Sequence, residues 1–164
     1  MSLSSSRLIR TEHEDLPFAQ ISDYPVLQSV YQLWAQDLPR LPRQLDPTEI
    51  PPSALPYVLL LDLEHNPTDL RIRLAGTRVC ELHGKELRGR SAADFFEPKD
   101  ANTVLKAALL CAESRQPSLA HRRYVSLHDR LWGYTRLLMP LSSDGVNVDR
   151  FFKLVEPSTL SSLG

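Results

Sequence analysis

Residues 56–96 read PYVLLLDLEHNPTDLRIRLAGTRVCELHGKELRGRSAADFF, and the fold turns on this stretch. Two apolar runs open it, at 57–63 and 70–74, with the polar turn HNPTD at 65–69 between them. That pattern predicts a strand hairpin. The first run is apolar at nearly every position, as in a strand covered on both faces, so it predicts a central strand. The second alternates, with Leu70, Ile72 and Leu74 on one face and Arg71 and Arg73 on the other, and predicts an edge. At Ala75-Gly76-Thr77 the strand gives way to helix, and Gly84 and Gly89 then break the helical sequence into short pieces. Ser91 and Asp94 form a capping pair for a one-turn helix that carries Phe95 and Phe96.

Downstream, a longer helix opens near Pro98 and stops before Pro117. Leu105, Ala108, Leu109 and Ala112 form its expected buried stripe, and Lys99, Asp100, Lys106 and Glu113 its wet face. Three strands come next, at 119–127, 131–140 and 149–155, joined by turns at 128–130 and 142–145. The last strand is apolar on both sides of Lys153, which places it in the middle of the sheet beside the first.

Upstream, residues 22–38 predict an amphipathic helix, with Asp23 as its cap and Pro25 in its first turn. Leu27, Tyr31, Trp34 and Leu38 recur at helical spacing. The central strands need a cover on their outer face, and this stripe is predicted to supply it or to meet a second copy. Residues 39–56 carry Pro39, Pro42, Pro47, Pro51, Pro52 and Pro56, which read as a stiff connector with one turn at 46–49. Residues 1–21 are expected to be a flexible arm, 57–156 the core and 157–164 a frayed tail. The layout is α+β, an antiparallel sheet with the short helices and one longer helix on one face.

Composition bounds the function. With 164 residues and 42% hydrophobic content, one domain can bury a full core. The net charge of −1 exerts no overall pull toward nucleic acid or an anionic membrane. Residues 1–70 carry four Arg against ten acids, and residues 71–136 thirteen basic residues against seven acids. The acidic part lying over the basic part accounts for this; an anion at the basic centre is the sharper reading. Arg71, Arg73, Arg78, Arg88 and Arg90 are expected to be mostly wet surface. Cys80 and Cys111 show no metal or CxxC spacing and read as reduced core thiols. The N-terminus lacks the apolar core of a signal peptide, and no run approaches the roughly 20 apolar residues of a membrane span. A cytoplasmic protein is expected.

These stretches, in order, resemble a known family. They are Leu33-Trp34, Leu41-Pro42-Arg43, Asp46-Pro47, Ile50-Pro51, and Leu59-Leu60-Leu61-Asp62-Leu63. The run Arg71-Ile72-Arg73-Leu74-Ala75-Gly76-Thr77 comes after them, then Gly84-Lys85-Glu86-Leu87-Arg88-Gly89, Arg136-Leu137-Leu138-Met139-Pro140-Leu141 and Asp149-Arg150. Over about residues 25–157 the chain resembles a PAS domain of the bacterial group in which a single stand-alone PAS domain makes up nearly the whole protein. The resemblance implies a five-stranded sheet, a hollow between sheet and short helices, and sensing or partner binding, often through dimers built on the N-terminal helix. It fixes no ligand, and the residues name no cofactor. The flavin photosensor type carries cysteine in an Asn-Cys-Arg-Phe-like run; Cys80 sits in Arg78-Val79-Cys80-Glu81, so that type is rejected.

Three functions are open to such a chain. The first is an interaction module that binds a protein partner and dimerises through Leu27, Tyr31, Trp34, Leu38, Trp132 and Tyr134. Trp132, Tyr134 and Arg136 share one strand face, either a docking patch or a surface the N-terminal helix covers. The second is a small-molecule sensor whose hollow is lined by Val79, Leu82, His83, Leu87, Phe95, Phe96, Leu105 and Leu109. The third is an enzyme, for which only His83 is a candidate: no G-x-S-x-G, phosphate-binding glycine loop or H-E-x-x-H is present. Of the other histidines, His13 falls in the arm and His65 in a turn, and His121 and His128, seven apart on one strand path, point to opposite faces unless a bulge intervenes and so do not chelate together.

Overall fold

A computed structural model describes residues 10–125 and 131–162. The apolar run of the hairpin becomes β2 (Val58–His65), paired on one side with β3 (Thr68–Ala75) and on the other with β6 (Arg150–Val155). Leu60 lies opposite Phe152, so the two strands read as central are neighbours. With β1 (Arg10–Asp15), β4 (Ser118–Val125) and β5 (Leu131–Leu141), the antiparallel sheet runs β1-β4-β5-β6-β2-β3. The turn expected at 128–130, with His128, lies outside the described residues.

Four helices cover the sheet: α1 (Pro25–Trp34), α2 (Thr77–His83), α3 (Ala92–Phe95) and α4 (Pro98–Ser114). Two glycines shape the passage from β3 into α2. A Cβ on Gly76 would stand 2.2 Å from the Pro56 carbonyl oxygen, so only glycine lets these backbones meet. Gly84 ends α2 at φ 69°, the left-handed conformation of a helix C-cap. The Ser91–Asp94 capping box forms as read.

The two faces of the sheet carry separate cores. On the outer face, Leu27, Val30 and Trp34 of α1 pack on Leu137, Met139, Phe152 and Leu154. The Trp34 Nε1 donates to the Pro140 carbonyl at 2.7 Å, which satisfies its one polar atom. Glu156 fastens the start of α1: its Oε1 accepts from the backbone N–H groups of Val26 and Leu27 at 3.0 and 3.2 Å. On the inner face, α2, α3 and α4 close over Leu59, Leu61, Tyr124, Trp132, Tyr134 and Phe151.

Several expectations are corrected. Residues 10–15, read as part of a flexible arm, form an edge strand with Glu12 opposite Arg123 and Glu14 opposite His121, so the acidic end does cover a basic strand. In the expected tail, β7 (Ser161–Ser162) pairs with β5. The sheet thus gains two strands on the five expected. Asp23 does not cap α1; Tyr24 occupies that position without a side-chain bond. The proline-rich segment is more than a connector: it makes 3₁₀ turns at Pro47–Glu49 and Pro52–Tyr57, and buries Leu41, Leu45, Ile50 and Ala54 in the outer core. Of the α4 stripe, Ala108 is buried and Leu105 and Ala112 pack against the inner core, joined by Cys111 and Val104, but Leu109 is 38% exposed.

Candidate functional site

The inner face encloses a cavity of about 60 Å³. Alternation along the strands decides what points into it. Arg122 and Tyr124 of β4, Tyr134 of β5, Lys153 of β6 and Leu59 and Leu61 of β2 all project to the helical side. Register then brings Arg122 opposite Tyr134 and Leu59 opposite Lys153.

Five of the eight residues expected around a hollow line it: Val79, His83, Leu87, Phe95 and Phe96. Leu82 packs against the same core without reaching the cavity. Leu105 packs against the same core and, with Leu109, lines a groove on the outside of α4 beside Lys99 and Lys106. Val104 takes the position that lines the cavity, and Leu109 lies well off the line through Ala108 and Cys111.

The polar end of the cavity was not foreseen. Tyr124 and Tyr134 share a hydroxyl–hydroxyl hydrogen bond of 2.7 Å. The Lys153 ammonium donates to the Tyr134 oxygen at 2.8 Å and approaches the Tyr124 oxygen at 3.5 Å. The Arg122 guanidinium lies over the Tyr124 ring and donates through Nε and Nη2 to Thr11 Oγ1. Arg136, further along β5, donates to the Ser118 carbonyl and hydroxyl. Among the described residues none of these three cations meets a carboxylate. One sequence signal pointed here: a lysine in an otherwise apolar central strand has to face something polar.

Burial and mutual charge shift these groups. Burial pulls the Lys153 amine down to about 8, with Arg122 and Arg136 adding to the fall and Tyr124 opposing it. Burial pushes the Tyr124 phenol up, but Lys153 and Arg122 outweigh it and bring it down to about 8. Tyr134 moves the other way, raised by burial and by the charge of Tyr124. Burial also lowers Arg136 to about 10, with Arg122 contributing.

His83 joins the cavity at the end of α2, edge-on to Phe95, Tyr124 and Trp132 with ring centroids 4.8–5.5 Å apart. Burial first, then Lys153 and Lys85, lowers it to about 3, so its imidazole is neutral. Among the described residues its buried Nδ1 has no partner, and neither has the Trp132 Nε1. Cys80 does not line the cavity; its thiol lies near the Ala75 carbonyl and Glu86. Burial drives the Cys111 thiol up to about 12, so that sulfur is an inert core group. The described residues hold no group of His, Cys, Asp and Glu that could bind a metal ion.

The side chains expected to meet a partner have other neighbours. Leu27 and Trp34 are spent on the chain's own sheet. Trp132 and Tyr134 form no surface patch, and the N-terminal helix does not cover them; they point inward under the short helices. Tyr31 is half-buried between Phe18 and Trp34, and Leu38 is exposed. On the hairpin, Arg71 pairs with Glu64, and Arg73 with Asp62.

A family model described as PAS domain matches residues 24–155. Among solved structures, a single-residue variant of Vivid aligns at TM-score 0.50 and 15% identity, covering 80% of this chain and 99% of that one. The light-state dimer of the fungal blue-light photoreceptor Vivid aligns at TM-score 0.50 and 15% identity, covering 80% and 93%. At that identity the likeness concerns the fold. No curated protein matches the chain.

Proposed function

The chain belongs to the PAS domain family, and on that premise we propose that it is a cytoplasmic regulatory module set by a small molecule in the inner hollow and read by a protein partner. The observation that carries this is the Arg122–Tyr124–Tyr134–Lys153 cluster at the end of an apolar cavity. Partly buried or buried polar side chains converging on one space cost stability unless something there uses them, and perturbed groups lining a cavity mark a candidate site. The photoreceptor role of the Vivid structures fits this chain less well. Drug-sized ligands occupy roughly 300–1,000 Å³, and the cavity here is about 60 Å³. Cys80 faces elsewhere. The expected occupant is therefore small. Native mass spectrometry of the purified chain tests the reading, because it reports ligand and oligomer together. Retained small-molecule mass, or saturable binding from a metabolite screen, supports it; an empty chain that binds nothing overturns it.

A second reading, partner docking or dimerisation without a ligand, is favoured by the outer face. Leu55 and Leu74 are exposed there beside a groove of about 390 Å³ that Leu45, Leu60 and Phe152 also line. Apolar surface of this kind suits a protein partner. A changed mass in light scattering on Leu74→Glu supports that reading; a monomer throughout, with unchanged pull-downs, counts against it.

A further inference from the structure

Resting on the ligand-sensing reading, we infer that the occupant is a small organic carboxylate, its oxygens held by Lys153, Arg122 and the tyrosine pair and its short apolar tail set among Leu59, Leu61 and Phe95. Donor accounting leads there. Lys153 carries three N–H donors and spends one on Tyr134 at 2.8 Å, with a longer approach to Tyr124. The two tyrosines share one O–H between them, which leaves the other phenolic proton without an acceptor among the described residues. Arg122 is 3% exposed and lines the cavity, yet directs only Nε and Nη2 to a single hydroxyl, that of Thr11.

The unspent groups of Lys153, Arg122 and the tyrosine pair are thus donors, and two carry positive charge, while the neutral His83 imidazole beside them has a buried Nδ1 with no partner among the described residues. A ligand that both donates and accepts would leave donors facing donors. A ligand that only accepts, and is negative, completes the set. The charge count agrees. Arg122, Arg136 and Lys153 gather on one face of the sheet, and among the described residues no carboxylate stands within ion-pair distance of any of them. Unpaired cations in such a place are costly, and a bound anion removes that cost. The cavity volume of about 60 Å³ restricts the ligand to a few heavy atoms. The aliphatic and aromatic lining opposite the cluster favours an organic acid over an inorganic anion.

Isothermal titration of the full chain with acetate, propionate and pyruvate tests this, with neutral propionamide and sodium sulfate as controls at constant ionic strength. Saturable binding of at least one carboxylate, with neither control matching it, is the expected result. Arg122→Gln and Lys153→Met should each weaken that binding by at least about tenfold. Lys153→Met removes an unpaired charge from the interior, so its thermal unfolding should be at least as high as that of the parent, which separates lost binding from lost folding. Binding of propionamide as strong as propionate, or full carboxylate binding by Lys153→Met, overturns the carboxylate inference and leaves ligand sensing standing. Silence toward every compound, with an empty chain in native mass spectrometry, overturns both.

Discussion

Trp34→Ala decides whether α1 is a cover for this chain's own sheet or an anchor for another protein. The indole is 1% exposed and packs in the outer core with Leu27, Met139 and Phe152. Its Nε1 is the donor to the Pro140 carbonyl at 2.7 Å. Truncation opens a cavity the size of an indole and orphans that carbonyl. Large-to-small changes at such sites cost about 3–5 kcal/mol. For a domain of this size each kcal/mol lowers Tm by about 2–4 °C, so a fall of roughly 6–20 °C is expected. Trp34→Phe keeps most of the apolar contact and loses only the N–H, which costs about 1–3 kcal/mol. The assay is urea unfolding followed by far-UV circular dichroism at two protein concentrations a hundredfold apart. If the loss lies within one chain, both variants unfold earlier and their midpoints do not move with concentration. A Trp34→Ala protein with the parent's midpoint but a smaller mass in solution would refute the packing argument.

Three further outcomes concern the inner face and the helix over it. Folded His83 binds its proton only near pH 3, whereas the unfolded chain binds it near 6.5, so stability falls as pH drops between these values, by at most about 1.4 kcal/mol per unit; His83→Phe should flatten that part of the stability curve relative to the parent. In an absorbance titration, one of the five tyrosines should ionise near pH 8, and Lys153→Met should move that step upward, because burial stays while one of the two neighbouring cations is gone and Arg122 remains. Leu87→Ala, at a residue 1% exposed beside the cavity, should cost about 2–5 kcal/mol, while Leu109→Ser on the outside of α4 should stay within about 0.5 kcal/mol; equal losses in thermal unfolding would contradict the outward placement of Leu109.

Much of the fold was legible because hydrophobic period reports burial directly. A run such as Leu59–Leu63, apolar but for Asp62, has no wet face to offer. The structure buries Leu59, Leu61 and Leu63 in the inner core and packs Leu60 against the outer one. The helix at 25–34 was legible through Leu27, Tyr31 and Trp34 at helical spacing; Leu27 and Trp34 are buried, Tyr31 is half-buried, and Leu38, the fourth residue of that reading, lies beyond the helix and is exposed. What escaped were segments whose order comes from a partner strand. Residues 10–15, RTEHED, have no apolar period; they are held by pairing to β4 and by Thr11, whose hydroxyl bonds to Arg123 and Arg122. The prolines at 39–56 hid a buried segment, because proline rules out regular structure without ruling out burial of the Leu41, Leu45 and Ile50 between them.

The site divides along a similar line. Its apolar wall was legible because Val79, Leu87, Phe95 and Phe96 sit on or beside short helices broken at glycines, and such helices have only the sheet to pack on. Its polar end was not, because Arg122, Tyr124, Tyr134 and Lys153 come from three strands, and apart from Lys153 each alone reads as ordinary strand composition. Their meeting depends on cross-strand register: a slip of one residue in β4 or β6 would turn Arg122 or Lys153 to the opposite face and dissolve the cluster. Neutralising Lys153 should accordingly leave the fold intact, whereas shifting the register of β6 should destroy site and outer core together, since Phe152 and Leu154 occupy the alternate positions under α1.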